Sequence, residues 1–178
     1  MKELVAVVIT LGLVALIVTL NSPSETSQTL PTLPSFVLED VASFSVQRKD
    51  KTKLEAKRSG DKWLLVGGAT PTYLQTNVVS QLLHDLQNMQ VKRVASRNPE
   101  KFSRFSVLDA QVILQDKEGN DLLDVFIGKP ATDLISTYIR LADENMVVTV
   151  DKVLTWQVKR TQDAWLEQET ATKDVSTE

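Results

Sequence analysis

The chain has no cysteine among its 178 residues. Disulfides, thiolate zinc sites and cysteine nucleophiles are therefore excluded. A lipoprotein anchor is excluded too, because acylation needs a cysteine. Histidine is almost as scarce. His84 stands alone, with no second imidazole to share a metal, and on a helix it lies about 200° from Leu82, opposite the apolar stripe. It reads as a solvent-facing residue. Excess positive charge is also missing. Lys and Arg number 20 against 23 Asp and Glu, a net charge of -3. Nucleic acid needs a basic face to meet its phosphates, so it is a poor partner. The short basic clusters Lys92-Arg93 with Arg97, and Lys159-Arg160, read as solvated edges.

Reaction motifs are absent as well. No serine stands in a G-x-S-x-G elbow. Asp116, Glu118 and Asn120 begin like a calcium loop, but the required sixth Gly and twelfth Glu are Asp121 and Ile127, which leaves a turn. Gly128-Lys129 resembles a phosphate loop only until Pro130 replaces the Ser or Thr. The acid pairs Glu39-Asp40 and Asp143-Glu144 sit at turns, and spacing alone does not bring distant carboxylates together. No catalytic, cofactor-binding or metal-binding residue is assigned.

The most definite feature present is the run Leu4–Leu20, which has no charged residue. It spans roughly 25 Å as a helix, the short end of a bilayer crossing. It is apolar on all sides, unlike a surface helix. A cleaved signal peptide is the competing reading. The apolar core is long for one, and no small-x-small site follows it, which favours an uncleaved anchor. Lys2 precedes the run and no basic residue follows closely. The N-terminus is therefore expected in the cytoplasm of a bacterial inner membrane, with the rest on the periplasmic side. The domain plan is 1–20 signal-anchor, 21–34 tether, 35–168 extracytoplasmic domain and 169–178 polar tail. The tether is rich in Ser, Thr and Pro.

The domain reads as α+β and rich in antiparallel strands. Phe44 and Val46, then Leu54 and Ala56, alternate with polar residues, and Lys62–Val66 completes a three-stranded meander. Gly67-Gly68 breaks it. Thr72 and Gln75 match a capping box behind Pro71. Leu74, Val78, Leu82, Leu86 and Met89, widened by Val79, form the stripe of one long helix packed on the sheet. A short strand over Val91–Ala95 follows, then one helical turn opened by Asn98-Pro99. Ala110–Leu114, Leu122–Ile127, Tyr138–Leu141 and Met146–Val150 read as strands in two hairpins. Short helices over Asp151–Val158 and Thr161–Gln168 close the chain. Ser45–Lys51 and Gln111–Lys117 match in pattern, which suggests two related units. Trp63, Trp156 and Trp165 read as core rather than as a binding face.

The order of motifs resembles the domain of unknown function 4340 family. The matching pieces are Gly60–Leu64, Pro71 before the helix with Val78, Leu82-Leu83 and Leu86, then Lys92-Arg93-Val94 and Asn98-Pro99. They continue with Phe105–Leu108, Val112–Gly128 and Tyr138-Ile139-Arg140. The chain departs where the family usually shows Phe-Gly-Leu and then Pro: Ser106 replaces the Gly and Asp109 the Pro. The resemblance implies a single membrane helix and an extracytoplasmic domain, with no assigned catalytic residue. It also implies accessory components of ABC-type export or gliding-motility systems. Three functions are carried forward: a non-enzymatic, membrane-anchored scaffold with a protein partner, a binding module for an envelope polymer or small ligand, and a hydrolase using two carboxylates.

Overall fold

Each alternating segment of the expected meander is a strand in the computed structural model, which describes residues 30–167. β1 (Ser43–Arg48), β2 (Lys53–Ser59) and β3 (Lys62–Leu65) pair antiparallel in chain order. Phe44, Val46, Leu54, Ala56 and Trp63 share one face and are buried. The anchor at 1–20, the tether as far as residue 29 and the tail at 169–178 lie outside the described residues. At the expected end of the tether, Leu33 already packs against the core.

The capping box at Thr72 and Gln75 does not form. Thr72 Oγ1 instead donates to the Thr70 carbonyl at 3.2 Å. Tyr73–Leu74 becomes a fourth strand, β4, paired with β3. Leu74 therefore belongs to the sheet and not to the helical stripe. The helix, α1 (Thr76–Gln87), starts after Gln75 with no side-chain cap. The reason is competition for backbone partners. Leu65 N donates to Thr72 O, Gln75 N to Trp165 O and Glu167 N to Tyr73 O. Strand contacts on both sides occupy groups that a helical turn would have left open. From α1, Val79, Leu82, Leu83 and Leu86 are buried as the helical period requires, and Met89 is buried just past its end.

β5 (Val91–Ser96) follows, then a 3-10 segment over Pro99–Phe105. Asn98 caps it as expected, its side chain accepting from Glu100 N at 3.0 Å. The single turn expected there runs on for 7 residues. β6 (Ala110–Gln115), β7 (Asp121–Pro130), β8 (Thr137–Leu141) and β9 (Val147–Val150) form a second antiparallel meander. The closing helices are shorter than the sequence suggests: α2 (Thr155–Val158) and a 3-10 turn at Gln162–Ala164. Tertiary bonds displace helical ones here. Leu154 N donates to Thr137 Oγ1 at 2.9 Å, and Arg48 Nη1 reaches the carbonyls of Lys159 and Arg160.

The strands make one sheet in the order β4-β3-β2-β1-β6-β7-β8-β9-β5. The two meanders meet through their first strands, β1 and β6. Four strands and a helix occur twice, as β1–β4 with α1 and β6–β9 with α2. This is the repetition that Ser45–Lys51 and Gln111–Lys117 suggest. Past its helix, each unit sends chain to the other's outer edge. β5 pairs with β9, and Leu166 bridges Leu74 of β4. Both helices cover one face, over a core that includes Phe44, Leu82, Leu114, Ile127, Ile139, Leu154 and Trp165. On the opposite face the Pro99–Phe105 segment closes a smaller cluster of Phe102, Val107, Ala131, Tyr138 and Val147. Gly128 permits that approach: a Cβ there would stand 2.3 Å from Phe105 O and 2.9 Å from Tyr138 O.

Candidate functional site

His84 is 62% exposed on α1, with its Nδ1 3.8 Å from Asp85 Oδ1. Its neighbour is the more constrained group. Asp85 Oδ2 accepts from Gln81 Nε2 at 2.8 Å and from Gln157 Nε2 at 2.7 Å, which ties α1 to α2. Among the described residues, no group of three or more metal-ligating side chains is placed to hold an ion. Asp116 closes its own turn, accepting from Asn120 N and Asn120 Nδ2, each at 2.8 Å. The Asn120 side chain holds its carboxyl below the ordinary range. Glu39, Asp40 and Glu118 gather with Asp116 around a shallow cleft. Asp143 and Glu144 lie in the β8–β9 turn, and Gly128-Lys129 lies within β7.

The tryptophans divide. Trp63 and Trp165 are core residues packed on Phe44, at ring separations of 5.1 and 6.1 Å. Trp156 is 68% exposed on α2, against expectation. In so short a helix only one side can face the sheet, and Thr155, Gln157 and Val158 take it.

An open cleft is lined by Arg48, Lys49, Asp50, Asp109 and Lys159. Its two acids are each matched to a cation: Asp50 to Arg48, and Asp109 to Lys49 at 3.7 Å. Hydrogen bonds from Arg48 and then Thr52 hold the Asp50 carboxyl down at about 2. A general acid requires the opposite shift, so Asp50 is suited to a fixed anion and not to proton donation.

The β7–β8 loop is the site that sequence reasoning missed. Asp133 accepts from Ser136 Oγ at 2.7 Å, Ser136 N at 3.0 Å, Lys92 Nζ at 3.1 Å and Ile135 N at 3.2 Å. The Ser136 hydroxyl, and after it Lys92, holds its carboxyl at about 2 against the cost of desolvation. Ala131 N and Ser136 O close the loop base at 2.8 Å. This bracing projects Leu134 and Ile135 outward, 74% and 65% exposed, with Leu134 at a φ of 61°. The available signal was an Asp-x-x-Ser turn enclosing two apolar residues that match no period. Arg140 was also missed as a brace. Its guanidinium lies 4.2 Å from the Phe126 ring, and Nη1 reaches the carbonyls of Leu141, Ala142 and Glu144.

These features define a class: an α+β domain of two strand-and-helix units on one antiparallel sheet. The chain belongs to the family described as Domain of unknown function (DUF4340), whose model matches residues 71–176. The Gly60–Leu64 motif falls outside that match. No curated protein and no solved structure matches the chain. Among the described residues, no helix is long and apolar enough to cross a membrane. Leu4–Leu20 lies outside them.

Proposed function

We propose that the chain is a membrane-anchored, extracytoplasmic accessory protein that works through contacts with a protein partner and not by catalysis. The observation that carries this reading is the charge-free run Leu4–Leu20, whose only polar side chains are Thr10 and Thr19, joined by a polar tether to a globular domain. Its short length and leading Lys2 favour a single crossing with the domain outside the cytoplasm. The partner class, an ABC-type export or motility complex, comes from family resemblance alone. The test has two parts. Protease added to intact spheroplasts should degrade the domain, and mild-detergent purification should recover a second membrane protein with it. A domain protected in spheroplasts would reject the topology. A chain recovered alone would reject the scaffold role.

The polymer-binding reading is weaker. Trp63 and Trp165 are in the core, and one exposed tryptophan makes a poor platform for a repeating ligand. The two-carboxylate reading is weaker still. Asp50 and Asp116, one in each acid-lined cleft, are both held below their ordinary pKa, the opposite of what a general acid needs.

A further inference from the structure

The two ends of the sheet differ in a way that no single strand reveals. One end is formed by the β1–β2 turn, the lead-in to β6, the β7–β8 loop and the chain from β9 into α2. Arg48 pairs with Ala110, Pro130 with Thr137, and Thr137 with Val150, so these segments end together. Three buried or half-buried bonds fasten α2 to the same end: Thr155 Oγ1 to Gly128 O, Thr137 Oγ1 to Lys152 O, and Leu154 N to Thr137 Oγ1. Leu134, Trp156, Ile135 and Leu108 are the four most exposed large apolar side chains among the described residues. All four lie at this end. Isolated exposed apolar residues are ordinary on a protein surface. Their collection at one end, two of them on a braced loop with Leu134 in an unfavourable left-handed backbone conformation, is not.

Charge follows the same division. At the apolar end each acid has a partner: Asp50 with Arg48, Asp109 with Lys49, Asp133 with Lys92, and Asp151 with the Gln90 amide. Lys51, Lys129, Lys152, Lys159 and Arg160 make no ion pair with any described residue. The opposite end carries Glu39-Asp40, the Asp116–Asp121 turn and Asp143-Glu144, with Arg58, Lys62 and Lys117 interleaved among them.

We propose that the Leu134-Ile135, Trp156 and Leu108 end docks on an anionic lipid bilayer. The lysines would meet the headgroups, and the apolar tips would enter the interfacial layer. Charge complementarity selects this occupant. The separate, protruding apolar tips suit shallow insertion better than a protein partner, which would call for a continuous patch. The inference rests on this surface and is independent of the Leu4–Leu20 anchor.

The test is fluorescence of the full chain in vesicles containing brominated phospholipid. Because Trp63 and Trp165 are buried, subtracting the Trp156→Phe variant isolates Trp156. Trp156 should blue-shift and be quenched in phosphatidylglycerol-containing vesicles and should respond little in pure phosphatidylcholine. Lys129→Glu with Lys152→Glu should weaken the response by about fivefold or more per lysine. Leu134→Ser with Ile135→Ser should remove most of it while leaving Asp133's bonds in place. Quenching that is equal in neutral and anionic vesicles would overturn the proposal. So would an unquenched Trp156 in anionic vesicles that carry the bound protein, which would leave this end as a protein-contact surface.

Discussion

Val46 and Val112 face each other across the β1–β6 ladder, and they hold the same position in the two matching segments Ser45–Lys51 and Gln111–Lys117. An antiparallel pair has a local two-fold axis normal to the sheet. Here that axis passes through the one pair that is both register partner and repeat equivalent. The relation continues outward: β5 completes the edge beside β9, and Leu166 bridges β4 on the far side.

Truncating this pair tests whether the two units fold as one. Val112 is fully buried and Val46 nearly so. Val112→Ala should cost about 1.5–3 kcal/mol, from lost burial plus a residual cavity. Urea unfolding followed by tryptophan fluorescence and by far-ultraviolet circular dichroism should remain a single, coincident transition. Two separated transitions would mean that the units are independent.

The approach of Phe105 to β7 leaves no room for a methyl group. Gly128→Ala would place a Cβ against two backbone carbonyls and the Val107 side chain. Backbone yields less readily than a flexible side chain, so a loss of about 2–3 kcal/mol is expected, with a matching fall in Tm. An unchanged Tm would show that the Pro99–Phe105 segment lifts away easily.

Ser106 occupies the left-handed region, with φ 56° and ψ 22°, at the C-cap of that segment. This is the position where the family resemblance leads one to expect glycine. Ser106→Gly should relieve the strain and stabilise the fold by about 0.5–1 kcal/mol in chemical denaturation. A destabilised variant would mean that the hydroxyl contributes more than the conformation costs.

The two kinds of tryptophan should part sharply. Trp165→Ala removes the buried ring that fastens the closing strand of chain over Phe44 and should cost about 3–5 kcal/mol. Trp156→Ala removes an exposed ring and should stay within about 0.5 kcal/mol. Equal losses would contradict the burial assigned to them.

Acid should loosen the β7–β8 loop. Asp133 is held at about 2, below its ordinary 3.8. A depressed folded pKa stabilises fully above the unfolded value and is lost as pH falls through the folded one. The stability gap between the native chain and Asp133→Asn should therefore be widest near neutrality and close between about pH 4 and 2. Denaturation series at several pH values measure it, and a gap that does not vary with pH would assign the loop's order to the Ser136 backbone bonds alone.

Much of the local structure could be read from periodicity. Phe44 with Val46, and Val112 with Leu114, alternate cleanly because one face is buried and the other is not. The Asn98-Pro99 cap was legible because its partner, Glu100 N, is two residues away. Thr72 and Gln75 misled because the same residues serve a strand whose partners, Trp165 and Glu167, are distant in the chain. The Leu134-Ile135 loop was legible only in part: its Asp133–Ser136 turn is local, but the Lys92 that also braces it belongs to another strand.

By itself the sequence determined the apolar character of Leu4–Leu20, the α+β class, the alternating strands and the exclusion of thiol and imidazole-pair chemistry. These depend on composition and on neighbours a few residues apart. Only the tertiary structure decided that β1 and β6 join the two meanders, that the segment after each helix crosses to the other unit's edge and that Trp156 stands outside the core. It also placed the unpaired lysines and the exposed apolar tips at one end of the sheet. Those outcomes depend on which strand edges pair, and pairing brings together residues whose separation along the chain carries no local signal.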